Sequence, residues 1–185
     1  FAAGAQTKVP IIVGTTAQDL PLQMPPPPDP MAWFGEDAAA AAKVFNPGGG
    51  APAEAVLSGL GADMSMHEPS RFVARSVTAA GRPAWLYRFS YVNEAAANRD
   101  AGAVHGEDVA YLFDNVELRY GAATTDADRA AGQALAGYLV NFVRTGDPNG
   151  PQLPAWPKFD AAKFELMNFT LEGPVFGPDP RAARI

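Results

Sequence analysis

The stretch Pro83-Ala84-Trp85-Leu86-Tyr87-Arg88-Phe89-Ser90-Tyr91 constrains the fold more than any other in this chain. It is rich in aromatic residues that partly alternate with others, the pattern of a strand whose faces are packed. A second run, Lys8-Val9-Pro10-Ile11-Ile12-Val13-Gly14, is short, β-branched and closed by glycine. It reads as a buried strand of the kind parallel sheets use, with the proline near its first residue, where one is tolerated. Both strands are followed by residues that carry chemistry. Asp19 comes just beyond the first, at the edge where open α/β sheets place their sites. His105 follows the second, between Gly102 and Gly106 in Gly102-Ala103-Val104-His105-Gly106-Glu107-Asp108. Histidine exchanges protons near neutral pH, and flanking glycines let the backbone turn tightly around it.

The remaining chain supplies helices and turns. Residues 20–30 are proline-rich and predict an extended polyproline segment. Residues 36–45 form an alanine-rich helical pattern closed by Asn46-Pro47-Gly48-Gly49-Gly50, where helix termination accounts for the triple glycine. Two further helices are expected over 53–60 and 69–80, separated by Gly61-Ala62-Asp63. In the second, Phe72, Val73, Ser76 and Val77 recur at helical spacing. His67, beside Met64 and Met66, reads as a surface or pocket-rim histidine. The polar residues 93–102 read as a mobile connection. Thr125 or Asp126 caps a long helix with Leu135, Tyr138, Leu139, Phe142 and Val143 on its apolar face. That helix stops at Gly146-Asp147-Pro148-Asn149-Gly150, and residues 164–170 predict a last short strand. The sequon Asn168-Phe169-Thr170 is of a kind that arises often by chance.

Composition narrows the function classes. A length of 185 residues with 48% hydrophobic content suits one domain with a substantial core. A net charge of −6 and a pI near 4.8 argue against nucleic acid and an anionic membrane surface as main partners. The absence of cysteine removes disulfides, thiolate metal sites and cysteine nucleophiles together. Two histidines in unrelated settings argue against a zinc site. No apolar run approaches the roughly 20 residues a membrane-spanning helix needs. The chain opens on Phe1-Ala2-Ala3-Gly4, as though cut from a longer one, so the compartment stays open.

An acid after one strand and a histidine after a later one match the back half of the α/β-hydrolase order of serine, acid, histidine, and equally a structural carboxylate in a turn with a satisfied core histidine. In such a triad the carboxylate fixes the imidazole tautomer, and the other ring nitrogen takes the serine proton. None of Ser58, Ser65, Ser70, Ser76 and Ser90 lies in the G-x-S-x-G elbow that exposes a nucleophile beside an oxyanion hole. Asp108, three residues past the histidine, is a competing acid whose position better suits tying down the loop.

Several blocks resemble the type B carboxylesterase family, which includes bacterial p-nitrobenzyl esterases and cholinesterases. Val9-Pro10-Ile11-Ile12-Val13-Gly14 through Asp19 looks like its strand and acid turn, and Leu86-Tyr87-Arg88-Phe89 like the segment before its histidine. The run from Gly102 to Asp108 is similar to its histidine loop. Phe142-Val143-Arg144-Thr145-Gly146-Asp147-Pro148-Asn149, followed by Trp156-Pro157, resembles its late helix and exit turn. The blocks keep the family's order along nearly the whole chain. The resemblance implies that residues 1–185 are the carboxyl-terminal part of one α/β-hydrolase domain, a mostly parallel sheet with flanking helices. Residues 20–82 would then be a helical and Pro-rich excursion between the acid strand and the histidine strand.

It further implies a carboxylic ester hydrolase with Asp19 as triad acid, His105 as base and Asp108 supporting the loop. The serine, the oxyanion loop and most central strands would lie upstream, so this segment alone is expected to be inactive and poorly stable. Its partners would be a small-molecule ester and the amino-terminal half of the same protein, with no nucleic acid, membrane, metal or organic cofactor. An apolar pocket is expected, with Met24, Trp33, Phe34 and Met66 as contributors. Where the family usually has Glu followed by Gly, this chain has Asp19 followed by Leu20. The shorter acid requires the strand end to approach His105 more closely. A catalytically inactive cholinesterase-like adhesion domain is the alternative from another class, and an amide or carbamate hydrolase the alternative on the same triad.

Overall fold

In the computed structural model, which describes residues 1, 3–20, 28–96 and 102–184, four strands form one sheet in the order β1-β2-β3-β4. β1 (Ile11–Thr16) runs parallel to β2 (Ala84–Phe89), with Ile11 beside Ala84 and Thr16 beside Phe89. β3 (Glu165–Thr170) is parallel to β2, and β4 (Gly173–Pro178) returns antiparallel to β3. Helices α1 (Ala38–Phe45), α2 (Ala53–Ala62) and α3 (Glu68–Ala79) fill the crossover from β1 to β2. Helices α4 (Val109–Leu112), α5 (Val116–Tyr120) and α6 (Asp126–Thr145) fill the one from β2 to β3.

The period-two alternation of β2 divides the core. Trp85, Tyr87 and Phe89 turn toward α6 and join Tyr111, Leu135, Tyr138, Trp156, Met167 and Phe169 in one buried cluster. Rings meet mostly edge to face there, as with Tyr138 on Trp156 at 5.3 Å between centroids. Removing each such ring from water contributes about 2–3 kcal/mol. On the other face Ala84 and Leu86 pack with Ile11, Val13, Phe159 and Leu166 against Ala74 and Val77 of α3. α6 begins at Thr125, whose hydroxyl accepts from the Asp128 N–H while the Asp128 side chain accepts from the Thr125 N–H. It ends on Gly146 in the left-handed conformation.

Several expectations are corrected by packing. The first strand is displaced toward Thr16, because its hydrogen-bonded edge is set by β2 and not by the apolar run alone. α2 and α3 are not separated by a turn at Gly61-Ala62-Asp63; a π-helical turn over Asp63–His67 carries one into the other. On α3 the buried face is Ser70, Arg71, Ala74 and Val77, while Phe72 is exposed. Arg71 is kept inside by Asp179, 3.5 Å away, and by the faces of Phe159 and Phe164. Val143 of α6 also lies at the surface. The proline segment lies largely outside the described residues, and the connection over 93–102 does so in part.

Candidate active site

A single backbone ladder brings the acid and the histidine together. Beyond β1, Gln18 pairs in parallel with Val104, and the Gln18 N–H donates to the Ala103 carbonyl at 2.7 Å. Parallel pairing sets successive residues side by side, so the next pair along the two segments is Asp19 and His105. Gly102 makes this close pairing sterically feasible. Its φ of 85° is unfavourable for a side chain, and a Cβ there would lie 2.8 Å from the Cβ of Ala17.

Asp19 is 3% exposed. Its Oδ2 accepts from the Thr16 N–H at 3.0 Å, and its Oδ1 from the Leu20 N–H at 3.0 Å. Oδ1 also meets His105 Nδ1 at 2.5 Å. Because a carboxylate offers only acceptors, Nδ1 carries the shared proton, which leaves the lone pair of the neutral ring on Nε2. The His105 side chain keeps 50% of its surface exposed against 1% for Asp19. A buried, backbone-anchored acid thus holds a ring whose far edge is open.

Asp108 does not compete for the ring, since its Oδ2 accepts from the Tyr87 hydroxyl at 2.7 Å. Tyr87 reaches it from the middle of β2 across Gly14 of β1, where a Cβ would collide with the tyrosine ring. Burial first, then the Asp108 charge, pushes the Tyr87 phenol far above its ordinary range, so it stays a donor. Glu107 completes the loop by accepting from the Val104 N–H at 2.8 Å.

His67 is not at a rim. It is 7% exposed, with Nδ1 2.8 Å from Thr15 Oγ1 and Nε2 2.7 Å from Arg181 Nη1. Since guanidinium only donates, Nε2 accepts and Nδ1–H donates to the threonine. Burial, helped by Arg181, Arg88 and Arg184, lowers its pKa to about 3. Its partners Thr15 and Arg181 lie 52 and 114 residues away in sequence, so no local pattern announces its burial. Of the expected pocket residues, Met24 lies outside the described residues and Phe34 stacks on Phe45 at 5.8 Å. Trp33 is exposed and Met66 half-buried. Among the described residues no group of three His, Cys, Asp or Glu side chains is placed to hold a metal ion. No described helix is long and apolar enough to cross a membrane.

A mostly parallel sheet flanked by helices, with this pair at its carboxyl edge, makes the molecule part of an α/β-hydrolase fold. Residues 51–179 match the carboxylesterase family, and the chain belongs to that family. Similar relatives include carboxylesterase 1F of Mus musculus, 33% identical over 110 residues, and carboxylesterase 1D of Rattus norvegicus, 33% identical over 102. These matches take in 58% and 54% of this chain but only 19% and 18% of the relatives' own lengths.

Proposed function

We propose that this chain supplies the acid and the base of a serine carboxylesterase, and that the nucleophilic serine comes from a further portion of the same protein. The observation that carries the reading is the 2.5 Å contact between buried Asp19 and the half-exposed ring of His105. In this reading His105 Nε2 takes the proton of the serine hydroxyl as its oxygen attacks the ester carbonyl. It returns that proton to the departing alcohol, then draws one from the attacking water and passes it to the serine oxygen as the carboxylic acid leaves. Asp19 keeps Nε2 free to accept and stabilises the imidazolium formed at each attack. Asp108, through Tyr87, ties the histidine loop to the sheet. The segment between β1 and β2, residues 20–82, is an excursion of the same domain.

The sheet order supports the partner as well. β1 is an outer strand of the described sheet and carries the acid at its carboxyl end. A parallel strand added at that edge would deliver its own carboxyl end, and a serine following it, beside His105. The test is hydrolysis of a p-nitrophenyl ester by the intact protein, compared with His105→Ala and Asp19→Ala. Loss of turnover in both is expected. Undiminished hydrolysis in the histidine variant sinks the proposal, and absence of activity in the intact protein itself favours a binding role. A p-nitroanilide run in parallel separates an esterase from an amidase.

A further inference from the structure

Arg88 is the one charged residue of β2, a strand otherwise apolar from Ala84 to Phe89. Alternation places it on the face of Ala84 and Leu86, in register with Thr15. Its Nη2 donates to the carbonyl of Ala17 at 3.1 Å, and its Nε to Ser90 Oγ at 3.2 Å. Ser90 Oγ in turn donates to Asn168 Oδ1 on β3 at 2.7 Å. The guanidinium therefore braces the residue two before Asp19 against β2 and β3 together.

That brace falls where packing is thin. The turn after β1 borders a cavity of about 290 Å³ lined by Ala17, Gln18, Ser58, Arg88, Arg181 and Arg184. Beside that cavity the Ala17–Gln18 peptide is held by three polar ties. The Ala17 N–H goes to the Phe89 carbonyl at 2.8 Å, and the Gln18 N–H to Ala103 on the histidine loop. The carbonyl between them is the group Arg88 holds. Burial, and then Arg181, lowers the Arg88 pKa to about 10, which leaves it charged at neutral pH.

We propose that Arg88 is a positioning residue for the acid–imidazole pair: by fixing the Ala17 carbonyl it sets the turn that aims Asp19 at His105 Nδ1. The geometry explains why a charge is kept in an apolar strand. A planar guanidinium reaches two acceptors at once, on β1's exit and just past the end of β2, which a single ammonium does not. The kinetic consequence rests on the esterase reading, but the positional one does not.

In the intact protein the two imidazoles are assigned in long-range proton–nitrogen NMR spectra by the signals lost in His67→Gln and in His105→Ala. In the neutral ring of His105, the ratio of Nδ1–H to Nε2–H tautomer reports the Asp19 contact. We expect Arg88→Met to lower that ratio about threefold or more, Arg88→Lys to lower it less, and Arg144→Met on exposed α6 to leave it unchanged. Should Arg88→Met not fold, Ser90→Ala, which removes only the lateral brace, must move the ratio the same way by a smaller amount. An unchanged ratio in the lysine and Ser90 variants, with or without Arg88→Met, overturns the proposal. Asp19→Asn separates the two ideas. If it too leaves the ratio unchanged, the acid–imidazole pairing itself has failed; if only the Arg88 series is silent, the pairing stands and the brace is merely structural. In the intact protein, Arg88→Met is expected to lower kcat about tenfold with KM unchanged, the mark of lost alignment.

Discussion

The two histidines are held by the same short piece of backbone, His67 at Thr15 and His105 at Asp19, yet their surroundings are opposite. His67 is buried with one nitrogen on Thr15, and its second nitrogen faces a guanidinium. His105 stands half in solvent with a carboxylate behind it. A cation beside a buried ring forbids a second proton, whereas a carboxylate welcomes one. The same side chain is therefore a fixed strut in one place and, in the proposed reaction, a proton carrier in the other, and only the partners decide which.

The sharpest way to break this contrast is to remove each ring in turn. His105→Ala is expected to cost the intact protein on the order of 10⁴ in turnover while leaving its unfolding midpoint nearly unchanged. For His67→Ala the pattern should reverse: a clear loss of stability, with kcat lowered only as far as folded protein is lost. Equal effects on both measurements in both variants would erase the distinction. A second cut goes through the cluster around His67. Arg181 is in direct contact with Asp63, and both side chains are nearly fully buried. Burial pushes the Asp63 carboxyl above its ordinary value against the pull of Arg181 and Arg184. Arg181→Met strands that acid and should cost about 3–5 kcal/mol in urea unfolding. A loss under about 1 kcal/mol would mean water already reaches the pair.

The same comparison shows what could be read from residues alone. The parallel strands, the helices α1, α2, α3 and α6 and the link of Asp19 to a strand's end were legible, because apolar runs, caps and glycines act over a few neighbours, whereas the short α4 and α5 were not. The cap at Thr125 and the stop at Gly146 are of this local kind. The hairpin partner β4 was not, since Gly-Pro-Val-Phe-Gly-Pro carries breaker residues and is recruited only by β3's free edge. Nor was the burial of Arg71 or His67, whose charged partners Asp179 and Arg181 lie a hundred or so residues on. The Asp19–His105 pair spans a comparable distance, but each member sits in a locally marked turn. Long-range pairs are legible when both ends announce themselves.

Acid titration sharpens the contrast more gently. The folded pKa of His67, about 3, lies below the ordinary histidine value of 6.5, so between those limits the unfolded chain binds a proton that the folded one refuses. Stability conferred by the neutral ring is thus complete above pH 6.5 and is lost as pH falls toward 3, at up to about 1.4 kcal/mol per pH unit. Asp63 works the other way, its raised pKa favouring the fold on acidification. The comparison must therefore be a difference between wild type and His67→Gln, which keeps a polar group between Thr15 and Arg181. Urea unfolding at pH 7, 6 and 5 should show the wild type losing stability faster than the variant over that window. Parallel slopes would mean that Arg181 moves aside to let the ring charge, and the rigid strut would have to be given up.

The smallest effect tests the other side. Tyr87→Phe removes one hydroxyl from Asp108 and should cost about 1 kcal/mol of stability, with the aromatic cluster intact. If the histidine loop depends on that tether, hydrogen exchange at the Val104 and Glu107 amides should speed up while that of α3 does not. Those amides sit in the loop's own turn, where Val104 N–H meets Glu107 and Glu107 N–H meets the Val104 carbonyl. A uniform rise across both regions would assign the hydroxyl to global stability and leave the loop to hold itself.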